Sequence, residues 1–176
     1  MPELLPVQVE IVVQDCFFIP AQLSVPVTEE TWQAWFQNWL TVLQPSLLER
    51  QISAQSYELS LRLTDDAEIQ GFNAQYRHKD QPTDVLAFAT LETDYPQLEE
   101  QADQPLYLGD IIISVETAQV QATQQQHSLK QELSWLGAHA LLHLLGWDHP
   151  DENSLLCMLK QQQCLLQSVG LPTPSF

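Results

Sequence analysis

Three of the chain's five histidines stand in one short run, His-Ala-Leu-Leu-His-Leu-Leu-Gly-Trp-Asp-His, from His139 to His149. His139 and His143 are four apart, so on a helix they share one face, a turn apart. Gly146 falls where a helix commonly stops, because glycine enters the left-handed region without a Cβ penalty. The chain can then fold back and bring His149 to the same point. Three neutral imidazoles converging there make a site for one divalent ion, zinc first. A fourth position stays open to water, whose pKa such an ion lowers towards ~7. Leu141, Leu142, Leu144 and Leu145 flank the histidines, so the helix is apolar nearly all round and is predicted to be central and buried. Burying two imidazoles without partners is costly. That favours a ligand role over a bland core role.

The same spacing, His-x-x-x-His-x-x-Gly-x-x-His, occurs in the metzincin proteases. Those enzymes place a glutamate directly after the first histidine, as general base. Here that position is Ala140. The ligand set is present and the protease base is absent, so a peptide substrate is disfavoured.

These ligands must be positioned by a core, and 176 residues with 44% hydrophobic content and five tryptophans suffice for one. One domain over 1–176 is expected. The first residues, Met-Pro-Glu-Leu-Leu-Pro-Val, carry no basic region ahead of an apolar stretch, so no signal peptide is expected. No run is apolar enough to span a bilayer. The three cysteines include no CxxC pair, which suits a reduced, cytoplasmic protein. Cys157 and Cys164, seven apart on one helix face, are read as core thiols. The net charge of -17, with six Lys and Arg, excludes a broad basic surface for nucleic acid. Any polyanion must be held by a small local patch, and a bound ion would add positive charge to it.

The alternating run from Val7 to Val13 reads as a strand. Thr28 caps a helix with Trp32, Trp35, Phe36, Leu40 and Leu43 inward, which Gln44-Pro45 is expected to end. Ser56 to Leu63 is a second strand. Thr64 or Asp65 caps a helix to about Tyr76, with Ile69 and Phe72 inward. A polar loop through Asp84 follows and holds two of the six cations, Arg77 and Lys79. Val85 to Thr90 is a third strand. Glu92 to Gln104 is acidic and reads as an exposed, mobile loop. Leu106 to Val115 is a fourth, buried strand, and Glu116 to about Gln126 a helix. Ser128 and Gln131 form a capping box opening the histidine helix, with His127 just outside as a surface residue. A last helix follows Asp151 and ends at Gly170. The order β-α-β-α-β-β-α-α-α predicts an α+β fold: a four-stranded mixed sheet packed with about five helices.

Two stretches together carry a family resemblance. Tyr-Arg-His-Lys-Asp-Gln-Pro-Thr-Asp-Val-Leu-Ala-Phe (Tyr76 to Phe88) and the histidine run, with Leu-Gly-Asp-Ile (Leu108 to Ile111) between them, resemble the YbeY family. These are bacterial endoribonucleases and ribosomal RNA maturation factors that bind a metal, usually zinc. The resemblance runs from about Leu61 to Met158. It implies that His139, His143 and His149 are metal ligands and that Arg77 lies near the metal and serves RNA cleavage. It also implies single-stranded RNA, ribosomal RNA of the small subunit at its 3′ end, as substrate. The small subunit or its proteins would be partners, with no membrane and no DNA. Ala140 and Ala87 stand where the family usually has glycine and serine, both small-for-small changes.

Arg77 has a planar fork of donors suited to phosphate. On the residues alone, an ion pair of Arg77 with Asp80 or Asp84 is an equal reading. Lys79 could help position substrate, Asp148 could orient His149 or simply make the turn, and Asp84 and Asp110 could orient an imidazole or the loop. Two other functions stay open: a non-catalytic ribosome assembly factor with a structural zinc, and a metal-dependent hydrolase of another substrate. Because imidazole binds metal only when neutral, affinity is expected to fall below pH ~6.5.

Overall fold

The computed structural model describes residues 6–92 and 104–174. In chain order the elements are β1 (Gln8–Asp15), α1 (Glu29–Glu49), β2 (Ser56–Thr64), α2 (Asp66–Arg77) and β3 (Val85–Ala89). A short 3-10 turn (Thr90–Glu92) leads to β4 (Leu106–Ser114), α3 (Val115–Gln125), α4 (Leu129–Leu144) and α5 (Glu152–Ser168). The sheet order is β1-β2-β4-β3, with β1, β2 and β4 parallel and β3 antiparallel to β4. This is the mixed four-stranded α+β fold that the sequence predicts. The acidic stretch read as a mobile loop lies, apart from its ends, outside the described residues. Among the described residues, no helix is long and apolar enough to cross a membrane.

Strand alternation sorts side chains into two layers. Tyr57, Leu59, Leu61 and Leu63 of β2, with Ile111 and Ile113 of β4, join the main core with α1, α4 and α5. Ile112 of β4 and Leu86 of β3 face the other way and pack under Ile69 and Phe72 of α2. The histidine helix therefore lies on one side of the sheet and α2 on the other.

Both edge strands are covered by side chains, which removes bare backbone that would otherwise pair with another chain. On β1, Gln33 and Gln37 of α1, one helical turn apart, each accept from a strand N–H (Ile11 and Val9) and donate to a strand carbonyl (Val9 and Val7). On β3, an Arg77 guanidinium nitrogen donates to the Ala87 carbonyl at 2.8 Å.

Three expectations are corrected. Pro45 does not end α1, which continues to Glu49 with Pro45 inside it. Leu47, 1% exposed, lies beyond the proline in the core. Its burial is worth about 1.5–3 kcal/mol, which matches the ~3 kcal/mol that a helical proline costs. Cys157 and Cys164 are exposed and are not core thiols. The buried stripe of α5 is Met158, Gln162, Leu165 and Leu166, which leaves the cysteines on its flanks. His127 is half-buried rather than a surface residue, with its Nε2 2.5 Å from the carboxylate of buried Glu132.

Gly109 sits beside a register shift in which β4 places one extra residue, Leu108, against β2. Its φ is +136°, and a Cβ there would overlap the Phe88 carbonyl oxygen. Gly109→Ala is therefore expected to lower stability by about 2 kcal/mol or more, read as a lower urea midpoint. An unchanged midpoint would show that the β3–β4 pair can yield at this point.

Candidate metal centre

The sequence builds the centre from the helix outward. Ser128 accepts from the Gln131 N–H, and the Gln131 side chain reaches back to the Ser128 N–H, which fixes the start of α4. The helix ends in a Schellman motif: the Trp147 N–H bonds the Leu142 carbonyl at 2.9 Å, and the Gly146 N–H bonds the His143 carbonyl at 3.0 Å. Gly146 takes φ +93°, so glycine is required at this reversal. Asp148 then accepts from the His149 N–H at 2.8 Å and holds the returning loop. The Arg50 guanidinium lies 4.7 Å from the Trp147 ring centre and braces the same loop from α1.

The result is convergence. One ligand atom from each of His139, His143 and His149 lies within 4.8 Å of the other two. The Nε2 atoms of His139 and His143 are 3.0 Å apart. Zn–N bonds of ~2.0–2.1 Å place the nitrogens of a tetrahedral site roughly 3.3 Å apart, so the imidazoles fit one ion. Among the described residues no fourth carboxylate, thiol or imidazole joins this cluster.

The ring orientation of His139 follows from a neighbour that the sequence reading missed. Gln162 on α5 is 0% exposed. Its Nε2 donates to the Trp135 carbonyl at 3.3 Å, so its Oε1 faces His139 Nδ1, 3.0 Å away. An amide oxygen only accepts, so Nδ1 carries the proton and Nε2 offers its lone pair to the cluster. A signal for this existed: Gln162 occupies the i+4 position of the apolar stripe that runs from Met158 to Leu165 and Leu166. A polar residue at a core position needs a partner.

Burial pushes the His139 imidazole below the ordinary histidine value, against the opposing Gln162 hydrogen bond. Burial and then the neighbouring His139 and His149 rings push His143 down as well. Both rings therefore stay neutral, and able to bind metal, to lower pH than free imidazole.

The histidines open onto a cleft of about 810 Å³ that also reaches Arg77, Lys79, Asp84 and Asp148. Four other residues picked out by the sequence thus share the cleft with the three histidines. Arg77 makes no ion pair with Asp80 or Asp84: its partners are the Ala87 carbonyl and the Phe88 ring, 5.6 Å from its Cζ. Asp84 accepts from the Val85 N–H at 2.7 Å and from the Gln121 amide at 3.2 Å. Asp110 is not brought to the cleft. It lies on the other side of the sheet, bonded to Ser60 and Tyr107.

The chain that builds this geometry is similar to known proteins. A family profile described as Endoribonuclease YbeY matches residues 19–170. The Endoribonuclease YbeY of Nostoc sp. is 57% identical over 173 residues, covering 94% of this chain and 92% of its own. That of Trichormus variabilis is 56% identical, covering 94% and 96%, and that of a Cyanothece strain 53%, covering 96% of each. A solved protein from Thermotoga maritima aligns with TM-score 0.48 and 21% identity over 90% of this chain.

Two outcomes follow from the half-buried imidazoles of His139 and His143. Gln162→Leu should weaken divalent-metal affinity about 10–100-fold, measured by competition with a chromophoric chelator, because the His139 ring loses its orienting acceptor. Equal affinity would detach Gln162 from the site. The metal-free protein should also lose stability on acidification. The folded pKa values of His139 and His143 lie below the unfolded ~6.5, so between the two values the unfolded chain binds more protons. This contribution is present above pH ~6.5 and is lost as pH falls below it. The urea midpoint of chelator-treated protein should fall between pH about 7.5 and 5.5, and fall less in His143→Ala. The same pH slope in both would rule out His143 as its source.

Proposed function

The chain belongs to the YbeY endoribonuclease family, and from that premise we propose that His139, His143 and His149 hold one divalent ion, zinc by its ligand set, and that this centre together with Arg77 cleaves single-stranded RNA. One observation carries the reading: three imidazole nitrogens and Arg77 share one cleft. Three imidazole donors, without hard carboxylates, suit zinc. The chemistry such an ion supplies when bound is Lewis acidity, with a lowered pKa for water and a polarised phosphoryl oxygen.

The chain's own residues supply the rest. The Ala87 carbonyl fixes one arm of the Arg77 guanidinium. Its remaining N–H groups are free to meet the non-bridging phosphate oxygens and offset the charge that grows on them during attack. Lys79 adds a mobile positive charge on the same wall. Asp84 stands near His139 and favours positive charge there, while Asp148 keeps the His149 loop in place through its backbone contact.

Single strands are the substrate because only Arg77 and Lys79 among the chain's cations line the cleft. A pair of charges can hold one splayed backbone but cannot cover a duplex. We place the reaction in ribosomal RNA maturation, at the 3′ end of the small-subunit RNA, with that subunit or its proteins as partner. This placement rests on family membership. A cytoplasmic site of action accords with three exposed cysteines of which no two are paired. A purely structural zinc explains the site less well, because such sites are usually closed by four protein ligands.

The test is cleavage of a single-stranded RNA by metal-loaded protein beside identically purified variants. His143→Ala and prior chelation should abolish cleavage. Arg77→Ala should lower kcat by about 10²–10³-fold, the usual cost of losing one charge-stabilising donor. Equal cleavage by parent and both variants would reveal a contaminating ribonuclease and end the enzymatic reading of this cleft.

A further inference from the structure

On the far side of the β3 edge from the histidine cleft lies a second hollow, of about 410 Å³. Three rings frame it. Phe72 and Tyr76, one turn apart at the end of α2, lie nearly parallel with centres 6.3 Å apart. Phe88 of β3 meets Tyr76 edge-on at 5.3 Å. Tyr76 is 55% exposed, a large amphipathic ring left in water beside a concave surface. Opposite the rings, the hollow is lined by Ser60, Arg62 and Asp110 from the sheet.

The charges say what the hollow does not take. Arg62 is already committed to Glu68, with a guanidinium nitrogen 2.9 Å from the second carboxylate oxygen. Asp110 accepts from the Ser60 and Tyr107 hydroxyls through Oδ1 alone, which leaves Oδ2 as an acceptor, so a phosphate would meet an anion and no free cation. A flat, uncharged group with N–H donors at its edge fits instead: rings for its face, a carboxylate acceptor for its edge. The Arg77 guanidinium carbon lies 5.6 Å from the centre of the Phe88 ring, so a side chain of the cleft and a ring of the hollow are in contact.

We propose that the hollow framed by Phe72, Tyr76 and Phe88 is a nucleobase subsite for the RNA substrate. It takes the base of a nucleotide adjoining the phosphate held at Arg77, with Asp110 accepting from the N–H groups of that base. The base stacks on Tyr76, and the backbone crosses the β3 edge at Arg77. A paired base cannot enter, because its face is covered by its neighbours and its N–H edge is occupied. The subsite thus rests on the reading of the cleft as an RNA-cleaving site and adds to it a reason for single-strand preference.

The experiment is a binding scan on the metal-free full-length protein, so that it does not depend on cleavage. A short single-stranded oligoribonucleotide is made with one abasic nucleotide moved through each position in turn. Affinity is read by fluorescence anisotropy for the parent, Tyr76→Ala and Tyr76→Phe. The parent should lose affinity about fivefold to a hundredfold at one position more than at its neighbours, the range expected for one stacked base. Tyr76→Ala should bind the intact oligonucleotide that much more weakly and no longer sense that position. Tyr76→Phe, which keeps the ring, should behave as the parent. Asp110→Ala should weaken binding of the intact strand and also blunt the response at that position.

A parent with no position-specific loss, or a Tyr76→Ala protein that binds and scans like the parent, would overturn the subsite. So would a parent that binds no RNA, and that result would also sink RNA as the ligand of the cleft. Position-specific binding without cleavage by the metal-loaded protein would instead support the subsite and refute only the cleavage chemistry.

Discussion

The centre depends on one half-buried hydrogen bond, that between Gln162 and His139. An imidazole has two nitrogens and can point either at a metal. Here the choice is made by an amide with no freedom: its nitrogen is held by the Trp135 carbonyl, so only its oxygen can face Nδ1. The bond joins α4 to α5, and α5 is in turn pinned to α1 by the Trp39 indole, which donates to the Leu165 carbonyl at 2.9 Å. Orientation of one ring is therefore a consequence of how three helices pack. Burial favours the neutral form of that ring and of His143, and their Nε2 atoms stand 3.0 Å apart where one ion would fit between them.

Arg77 is fixed by a different demand, that of a sheet edge. β3 is the last strand, and its outward backbone needs partners as much as β1 does at the opposite edge. On β1 the need is met by two glutamines of a covering helix, and on β3 by an arginine at the end of α2. An arginine serves better there than a second amide, because one donor can cap the Ala87 carbonyl while the others face the cleft. The same contact that closes the sheet sets the plane of the guanidinium, so its pose does not depend on a flexible ion pair. The ion pairs with Asp80 or Asp84 that the residues alone allow would have drawn its charge into the loop.

Local periodicity and capping were legible in the chain. The alternation of β2, the Ser128–Gln131 box and the His-x-x-x-His face each depend on residues a few positions apart, and each is found in place. What was not legible depends on partners distant in sequence. Pro45 stays helical because Leu47 is needed in the core, which no local rule conveys. Cys157 and Cys164 share a face with each other but not with the buried stripe, and their spacing alone cannot say which face is buried. His127 reads as exposed until buried Glu132 is seen beside it. Asp110, two residues from Leu108 in a motif that includes the site's neighbours, faces away because side chains alternate along a strand. Gln162 was within reach, since a polar residue in an apolar stripe calls for a partner.

The acidity of the chain shapes how it can recognise RNA. With a net charge of -17 and only six Lys and Arg, binding by neutralising many phosphates is not available to it. Of the six, Arg62 is committed to Glu68, and Arg50 lies over Trp147. The cleft itself holds Arg77 and Lys79. On the reading proposed above, electrostatic attraction is confined to the reacting phosphate, where it acts on the transition state rather than on binding along the strand. Affinity must then come from contacts indifferent to charge, and base stacking is the main one open to a protein. Stacking requires unpaired bases, whereas phosphate contacts accept duplex and single strand alike. On that same reading, a surface that repels the backbone everywhere except around the three histidines, Arg77 and Lys79 would select for single strands and against duplexes, without reading any base pair. The negative charge that looks unsuited to a ribonuclease becomes, in this arrangement, part of its specificity.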